Sequence, residues 1–273
     1  MKIAILITSH NRKDTTLTCL FALYKNKEDF DVFLVDDGST DGTSEAIKQN
    51  FPQVNIIKGT GNLFWNQGMR FAWETAVRET DYDYYIWLND DTLIFNNTIN
   101  ELLQCDIEAK QKGGKQAIIV GSCKTSNKIA EFSYGGRNDN GSLIPNGEIQ
   151  ECKYINGNLV LVPKNVYDVI GNLSNDYTHG IGDTDYGLRC IKNGFKCYVS
   201  KEYLAVCPRN GVPDWCNPKV PLRKRINILN SPKGLNIREH IVYRKKFHQN
   251  WVIFTIKVYF RTIFPRLYKI IKH

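Results

Sequence analysis

Two hydrophobic periods alternate along the first 125 residues. Ile3 to Ile7 run apolar without a break, the mark of a strand covered on both faces. Leu17, Leu20, Phe21 and Tyr24 then recur at helical spacing. "DVFLVDDGST" reads as a second strand, closed by acids and a Gly-Ser turn, and "TSEAIKQN" as a short helix. "VNIIKG" is a third strand, "GMRFAWETAVRET" a helix, "YYIWLNDD" a strand, "NTINELLQCDIEAKQK" a helix and "AIIVGS" a strand. This β-α-β-α-β-α-β-α-β order predicts an α/β fold, with a mainly parallel sheet flanked by helices. From Phe132 to Gln150 the pattern breaks into a Gly- and Asn-rich stretch suited to hairpins or a loop. A strand and a Pro163-led helix follow in "YINGNLVLVPKNVYDVIGNL", then a helix from near Asp183 that stops at Gly194, then another strand. From about Asn236 two helical stretches appear, the second interrupted by Pro265. The expected division is therefore 1–125, 126–235 and a tail, 236–273.

Composition leaves the globular reading intact. The 273 residues are 42% hydrophobic and include only 9 Pro, without low-complexity runs or repeats. Charge changes the picture more. Of the 36 Lys and Arg, 14 fall between Lys219 and His273, where Glu239 is the one acid. The formal net charge of +8 therefore hides an acidic body and a strongly basic tail, which points the tail at an anionic surface. The tail's longest uncharged run, "NWVIFTI", is far short of the roughly 20 residues that span a bilayer. Its mixture of aromatics with Lys257 and Arg261 fits a helix lying in a membrane interface. The alternative is a helix packed on the body with its charges solvated. No recognised RNA- or DNA-binding module accompanies the tail, so nucleic acid is not an expected partner. The apolar run at the N-terminus is short for a signal peptide. The eight cysteines form no C-x-x-C pair and are expected to be free, buried thiols in a reducing cytoplasm.

Candidate chemistry gathers where strands end. Ligands of open parallel sheets sit beyond the carboxyl ends of the strands. Three strands here end in polar residues: Thr8 to Arg12, Asp36-Asp37, and Asn89-Asp90-Asp91. Four aspartates on one rim repel one another unless a cation sits among them. A hard divalent cation, Mg²⁺ or Mn²⁺, bound to a phosphorylated ligand meets that need, because it takes only one or two carboxylates from the protein. The alternative is that Asp90 and Asp91 merely cap the next element. No P-loop or G-x-G-x-x-G follows the first strand, so a cation rather than a glycine loop is expected to neutralise phosphate.

"ILITSHNR", "FLVDDGSTDGT", "WLNDDT" and "GIGDTDYGLRCIKNGF", in this order, resemble glycosyltransferase family 2, inverting enzymes of the GT-A fold. "GTGNLFWNQGMRFAW", "CPRN" and "SPKG" are similar to members tied to bacterial surface polysaccharide synthesis. The resemblance covers about residues 2–210. It implies a donor-binding half in 1–125 and an acceptor-side half in 126–235. It also implies that Asp37 accepts a hydrogen bond from a pyrimidine base, that Thr8 and Arg12 line the nucleotide pocket, and that Asn62 and Gly68 approach ribose and diphosphate. Asp90 would approach the ribose and Asp91 would hold Mn²⁺ or Mg²⁺. The triplet has Asn89 where many relatives carry a first Asp. Asp183 matches the general base, although Gly182 replaces the acid that usually precedes it. Read without the resemblance, Asp183 and Asp185 could simply stabilise a helix start, and Asp185 with Arg189 could form a surface ion pair. Cys207 stands near where some relatives place a late histidine ligand, but thiol is a poor ligand for Mg²⁺. His10 and His179 could contact diphosphate or acceptor, or could be packing residues.

The expectation is an inverting, metal-assisted glycosyltransferase acting at the inner face of the cell membrane. Its donor would be UDP- or dTDP-linked, and its acceptor a saccharide or a lipid-linked saccharide. One rival is a nucleotidyltransferase, which wants glycines after the first strand that "TSHNRKDTT" lacks. The other is a non-enzymatic membrane or nucleic-acid adaptor, which would bind no nucleotide in a metal-dependent way.

Overall fold

The computed structural model describes residues 1–128 and 131–272. It divides into two compact units, Met1–Ser174 with Asp183–Arg209, and Asn175–Gly182 with Asn210–His273.

The first unit opens with β1 (Ile3–Ser9), α1 (Lys13–Leu23), β2 (Asp31–Asp36), α2 (Thr43–Asn50), β3 (Asn55–Lys58), α3 (Phe64–Glu79) and β4 (Tyr84–Leu88). It continues with β5 (Leu93–Ile94), α4 (Thr98–Gly113) and β6 (Ile118–Lys124). The Gly- and Asn-rich stretch forms the short strands β7 (Phe132–Tyr134), β8 (Arg137–Asn138), β9 (Gly141–Ser142) and β10 (Gln150–Glu151). Then come β11 (Leu159–Pro163), α5 (Lys164–Ile170), α6 (Gly182–Lys192) and β12 (Cys197–Val206). Along the main sheet the order is β10-β12-β6-β11-β4-β1-β2-β3. Alternation along β1 builds two cores. Ile3, Ile5 and Ile7 join Leu20, Leu23, Ile47 and Leu102 on one face, while Ala4 and Leu6 join Met69, Trp73, Val166 and Tyr186 on the other. Each such buried side chain stabilises the fold by about 1.5–3 kcal/mol relative to exposure.

Strands β4, β1, β2 and β3 are parallel neighbours, and β6 and β12 are parallel to each other. Between β4 and β6 lies β11, antiparallel to both, which the strand-helix alternation does not disclose. An antiparallel strand begins where its parallel neighbours end. The residues just before β11 therefore reach the rim that carries the ends of β1, β2 and β4.

Helix α3 starts at Phe64, earlier than its apolar period indicates, and takes in Trp65 to Gly68. The Asp37 carboxylate accepts the backbone N–H of Leu63 and of Phe64, both at 2.9 Å, and so satisfies the helix's first donors from a neighbouring strand end.

The second unit carries a short turn of 3₁₀ helix at Asp214–Cys216, α7 (Leu222–Leu229), α8 (Ile237–Phe247), α9 (Trp251–Ile263) and α10 (Pro265–Lys272). Its core is built from Trp215, Cys216, Leu229, Ile237 and Val258. Pro265 opens α10 at a position that needs no N–H donor, and the helical line breaks there as the sequence indicates.

Candidate active site

Two of the four rim aspartates serve the backbone. Buried Asp36 accepts the Ser39 N–H at 2.9 Å and the Ser44 hydroxyl. Asp37, also buried, accepts Gly61 N–H on Oδ1 at 2.7 Å, besides Leu63 and Phe64 on Oδ2. It thereby fixes the loop from Gly59 into α3. Phe64 is held at φ 54°, a left-handed conformation that costs an L residue about 1–2 kcal/mol. The bend turns the next residue, Trp65, toward the end of β4, where its indole Nε1 donates to Asn89 Oδ1 at 2.6 Å. Exposed Asn62 lies on this loop. Gly68 lies one turn into α3 against β1, where a Cβ would come within 2.3 Å of Thr8 Oγ1. The loop, Thr8 and Asn89 thus belong to one packed neighbourhood.

The other two aspartates share a cation supplied by the chain. Arg12 Nη1 donates to Asp90 Oδ1 at 2.8 Å and Nη2 to Asp91 Oδ2 at 2.9 Å. Asp90 is nearly enclosed, its side chain 6% exposed, whereas Asp91 is 33% exposed. Burial pushes the Asp90 carboxyl up to about 6, against the pull of Arg12. The Ser9 and Thr16 hydroxyls also favour its ionised form. Asp91 Oδ1 faces Cys207 Sγ at 3.8 Å. Cys207 follows the end of β12, accepts Asn158 Nδ2–H at 3.0 Å, and has its thiol pushed up to about 11 by burial and by Asp91. It therefore stays protonated at neutral pH. The sequence puts this cysteine near where some relatives carry a late histidine, and its thiol lies beside Asp91.

Asp183 comes from the first turn of α6. Its Oδ2 accepts the Gly157 N–H at 2.8 Å and its Oδ1 the Thr184 N–H at 2.6 Å, so it also serves the helix start. Burial raises the carboxyl above its ordinary value, and these two amides oppose the rise. Ile181, two residues earlier, sits at φ 71°, an outlier for a β-branched residue. Gly157 stands just before β11, beside Asn158, whose carbonyl accepts the Asn89 N–H at 2.9 Å. A Cβ on Gly157 would meet Trp65 Cζ2 at 2.5 Å and Asp183 Cβ at 3.3 Å. Trp65, Gly157 and Asp183 are therefore in direct succession. Sequence reasoning missed Trp65 and Gly157. The signals available were a tryptophan in the Gly-Asn loop and the N-G-N turn at the foot of β11.

Asp185 and Arg189 do pair, but not as the surface pair that the alternative reading offered. Asp185 is fully buried and accepts Arg189 Nε–H at 2.7 Å, while the guanidinium also donates to the carbonyls of Ile170 and Asn172 at 3.0 Å. The apolar face of α6 carries the pair inward, and Arg189 braces the segment after α5. His10 Nδ1 lies 2.6 Å from the Asp37 carbonyl. His179 belongs to the second unit, where burial and Lys233 hold it below its ordinary value. The eight cysteines are all buried, and none is joined in a disulfide.

The family profile described as "Glycosyl transferase family 2" matches residues 4–142. A poly-beta-1,6-N-acetyl-D-glucosamine synthase of Staphylococcus aureus is 31% identical over 99 residues, which are 34% of this chain and 22% of that protein. The chain spans less than a quarter of the length of the curated relatives it matches. Among solved structures, S. aureus TarS 1-349 in complex with UDP-GlcNAc superposes with a TM-score of 0.57 at 14% identity, covering 92% of this chain and 73% of that one. The mannosyltransferase PcManGT from Pyrobaculum calidifontis, in complex with GDP-Man and Mn²⁺, gives 0.55 at 15% identity, over 76% and 56%. These likenesses show a shared GT-A fold, and the match over half of the sequence shows that the chain belongs to glycosyl transferase family 2.

Proposed function

We propose that the chain is an inverting glycosyltransferase of bacterial surface polysaccharide synthesis, moving a sugar from a nucleoside-diphosphate donor to a saccharide or lipid-linked acceptor. The observation that carries the reading is the run of contacts from the Asp37 loop through Trp65 to Asn89 on one side and to Gly157 and Asp183 on the other. It joins the stretch suited to a nucleotide, the acid triplet and the candidate base within one unit.

Asp183 is the general base. As the acceptor oxygen attacks the anomeric carbon, its proton passes to Asp183, and the nucleoside diphosphate leaves from the opposite face, which inverts that carbon. The two amides on Asp183 fix the carboxylate's direction and favour its ionised form against the effect of burial. Asp37 keeps a spare lone pair on Oδ1 for a pyrimidine N–H, since among the described residues Gly61 alone donates to that oxygen. Thr8, Arg12, Asn62, Gly68 and Asp90 surround ribose and diphosphate. Residues 1–125 then form the donor half and 126–235 the acceptor half.

Among the described residues, no group of three or more His, Cys, Asp or Glu side chains could by itself hold a metal ion. The residues do fit a hard cation that draws most of its ligands from phosphate and water. Asp91 Oδ1 is clear of Arg12, and its neighbour there is the thiol at 3.8 Å. Asp91 would hold Mn²⁺ or Mg²⁺, which when bound offsets charge on the leaving diphosphate. Arg12 offsets half of the acid pair's charge from within the chain and gives the diphosphate a second positive partner. The enzyme works at the inner face of the cell membrane, with the basic tail toward the lipid.

The test is Asp183→Asn, which should abolish transfer while calorimetric binding of UDP with Mn²⁺ persists. Retained turnover removes Asp183 from the base role. Absence of metal-dependent nucleotide binding in the wild-type chain removes the reading altogether.

A further inference from the structure

Helix α9 has its polarity reversed. It turns Val258 and Thr262 into the core of its unit. At about 100° per residue, Val252, Ile253, Ile256, Phe260 and Ile263 fall together on the opposite side. Val252, Ile253, Ile256 and Ile263 are exposed, Ile256 at 64%, and Phe260 is half-buried against Phe264 at 5.5 Å. Phe264 and Leu267 extend the exposed apolar surface into α10. An outward-facing helix side in water is ordinarily polar; here Lys257 is the one charge on it.

We propose that this face of α9 lies in the plane of a membrane, its apolar side chains set into the headgroup–acyl boundary of an anionic bilayer. Lipid is favoured over other occupants by length and by charge. The 13 residues of α9 span about 20 Å against a hydrocarbon core of about 30 Å, too little to cross but enough to lie flat. Among the described residues no helix is long and apolar enough to cross a membrane. From Lys219 onward the chain carries 14 Lys and Arg against Glu239 alone, so anionic headgroups complement it, whereas a second copy would bring like charge to like charge. Trp251, with Lys245 over its ring at 4.8 Å, opens α9 on the side of Val258, so the proposed face itself is carried by the aliphatic residues and Phe260. The proposal takes only the choice of inner leaflet from the glycosyltransferase reading.

The experiment is flotation of the full chain with vesicles of phosphatidylcholine alone, or of phosphatidylcholine and phosphatidylglycerol in equal parts, without donor or acceptor. Binding is expected on the mixed vesicles, weak on phosphatidylcholine, and falling as salt rises. The Ile253→Asp, Ile256→Asp double variant should lose about tenfold or more in vesicle affinity. Lys257→Glu, which leaves the apolar side chains in place, should lose about fivefold. Ile256→Ser, milder at an exposed position, guards against misfolding, with thermal melting of each variant as the control. Wild-type binding by the double variant overturns the proposal. A chain that ignores vesicles but forms dimers that Ile256→Ser dissociates also overturns it and makes the face an interface between copies. Because no turnover is measured, a chain inactive in sugar transfer tests the proposal equally well.

Discussion

Gly157→Ala probes the joint between the acid triplet and Asp183 with a single methyl group. Gly157 does not occupy a left-handed backbone conformation, so alanine meets no strain there and the whole effect is steric. The new Cβ would lie 2.5 Å from Trp65 Cζ2 and 2.6 Å from Cη2. Ordinary carbon contacts begin near 3.5 Å, so ring and turn must separate by about 1 Å. Trp65 cannot swing freely, because its Nε1 is tied to Asn89 at 2.6 Å and its ring meets Trp87 edge-on at 6.2 Å. If the turn moves instead, the Gly157 amide draws away from Asp183. Overpacking of this kind costs about 1–3 kcal/mol, or roughly 5 °C in Tm for a chain of this size. A displacement near 1 Å of a reacting group costs about 10²-fold in rate. The assay is kcat for nucleotide-sugar turnover beside calorimetric binding of UDP with Mn²⁺. The expected outcome is kcat down about 10²-fold with nucleotide affinity within a few-fold of wild type. Adding Trp65→Phe removes the colliding ring atoms and should restore most of the lost kcat, a non-additivity that general destabilisation does not produce. Full kcat in Gly157→Ala, with Tm lowered as expected, refutes the placement of Asp183 at the reacting centre.

Asp90 supplies a test in the opposite direction. Its folded value of about 6 exceeds the ordinary 3.8, so ionisation at neutral pH costs the fold up to about 3 kcal/mol. Asp90→Asn should therefore raise Tm at pH 7, with the gain disappearing below pH 4, while nucleotide binding falls; a lowered Tm at pH 7 contradicts the burial argument. Arg12→Leu leaves Asp90 and Asp91 without their shared partner and should weaken UDP binding about tenfold while lowering Tm at pH 7; unchanged affinity by calorimetry would remove Arg12 from the nucleotide site. Since burial holds Asp183 above its ordinary value, the acid limb of kcat/KM should lie above the usual aspartate range, read from a pH–rate profile. Burial, and then the neighbouring charge of Arg244, hold His240, stacked on Phe254 at 5.4 Å, down to about 4. Its folded value is depressed, so the unfolded chain takes up the proton first. Stability should therefore fall as pH drops from 6.5 toward 4, and His240→Phe should flatten that slope in pH-dependent melting curves.

Most of the sheet was legible because its signal is local. Ile3 to Ile7, Val32 to Val35 and Tyr84 to Leu88 are short apolar runs ending in polar residues, and each is a buried parallel strand where the pattern indicates. The place of β11 was not legible. "LVLVP" has the same composition whether it pairs parallel or antiparallel, and the direction follows from a connection through the irregular stretch after β6. The start of α3 was hidden for a related reason. Phe64 opens the helix with a left-handed backbone, and its N–H is met by the distant carboxylate of Asp37.

The same limit governs the site. Strand ends can be read from sequence, so Thr8, Asp37, Asp90 and Asp91 come to one rim as expected, and the repulsion argument rightly demands a positive charge among the acids. That argument cannot say where the charge comes from. Arg12, three residues beyond β1, supplies it by reaching 78 and 79 residues along the chain to Asp90 and Asp91. The acid pair is therefore half-neutralised from within the chain. Gly157 and Trp65 escaped for the complementary reason. Neither bears charge or a reactive group, and what they contribute is the absence of a methyl and the presence of a ring between Asn89 and Asp183, which are 94 positions apart in the chain.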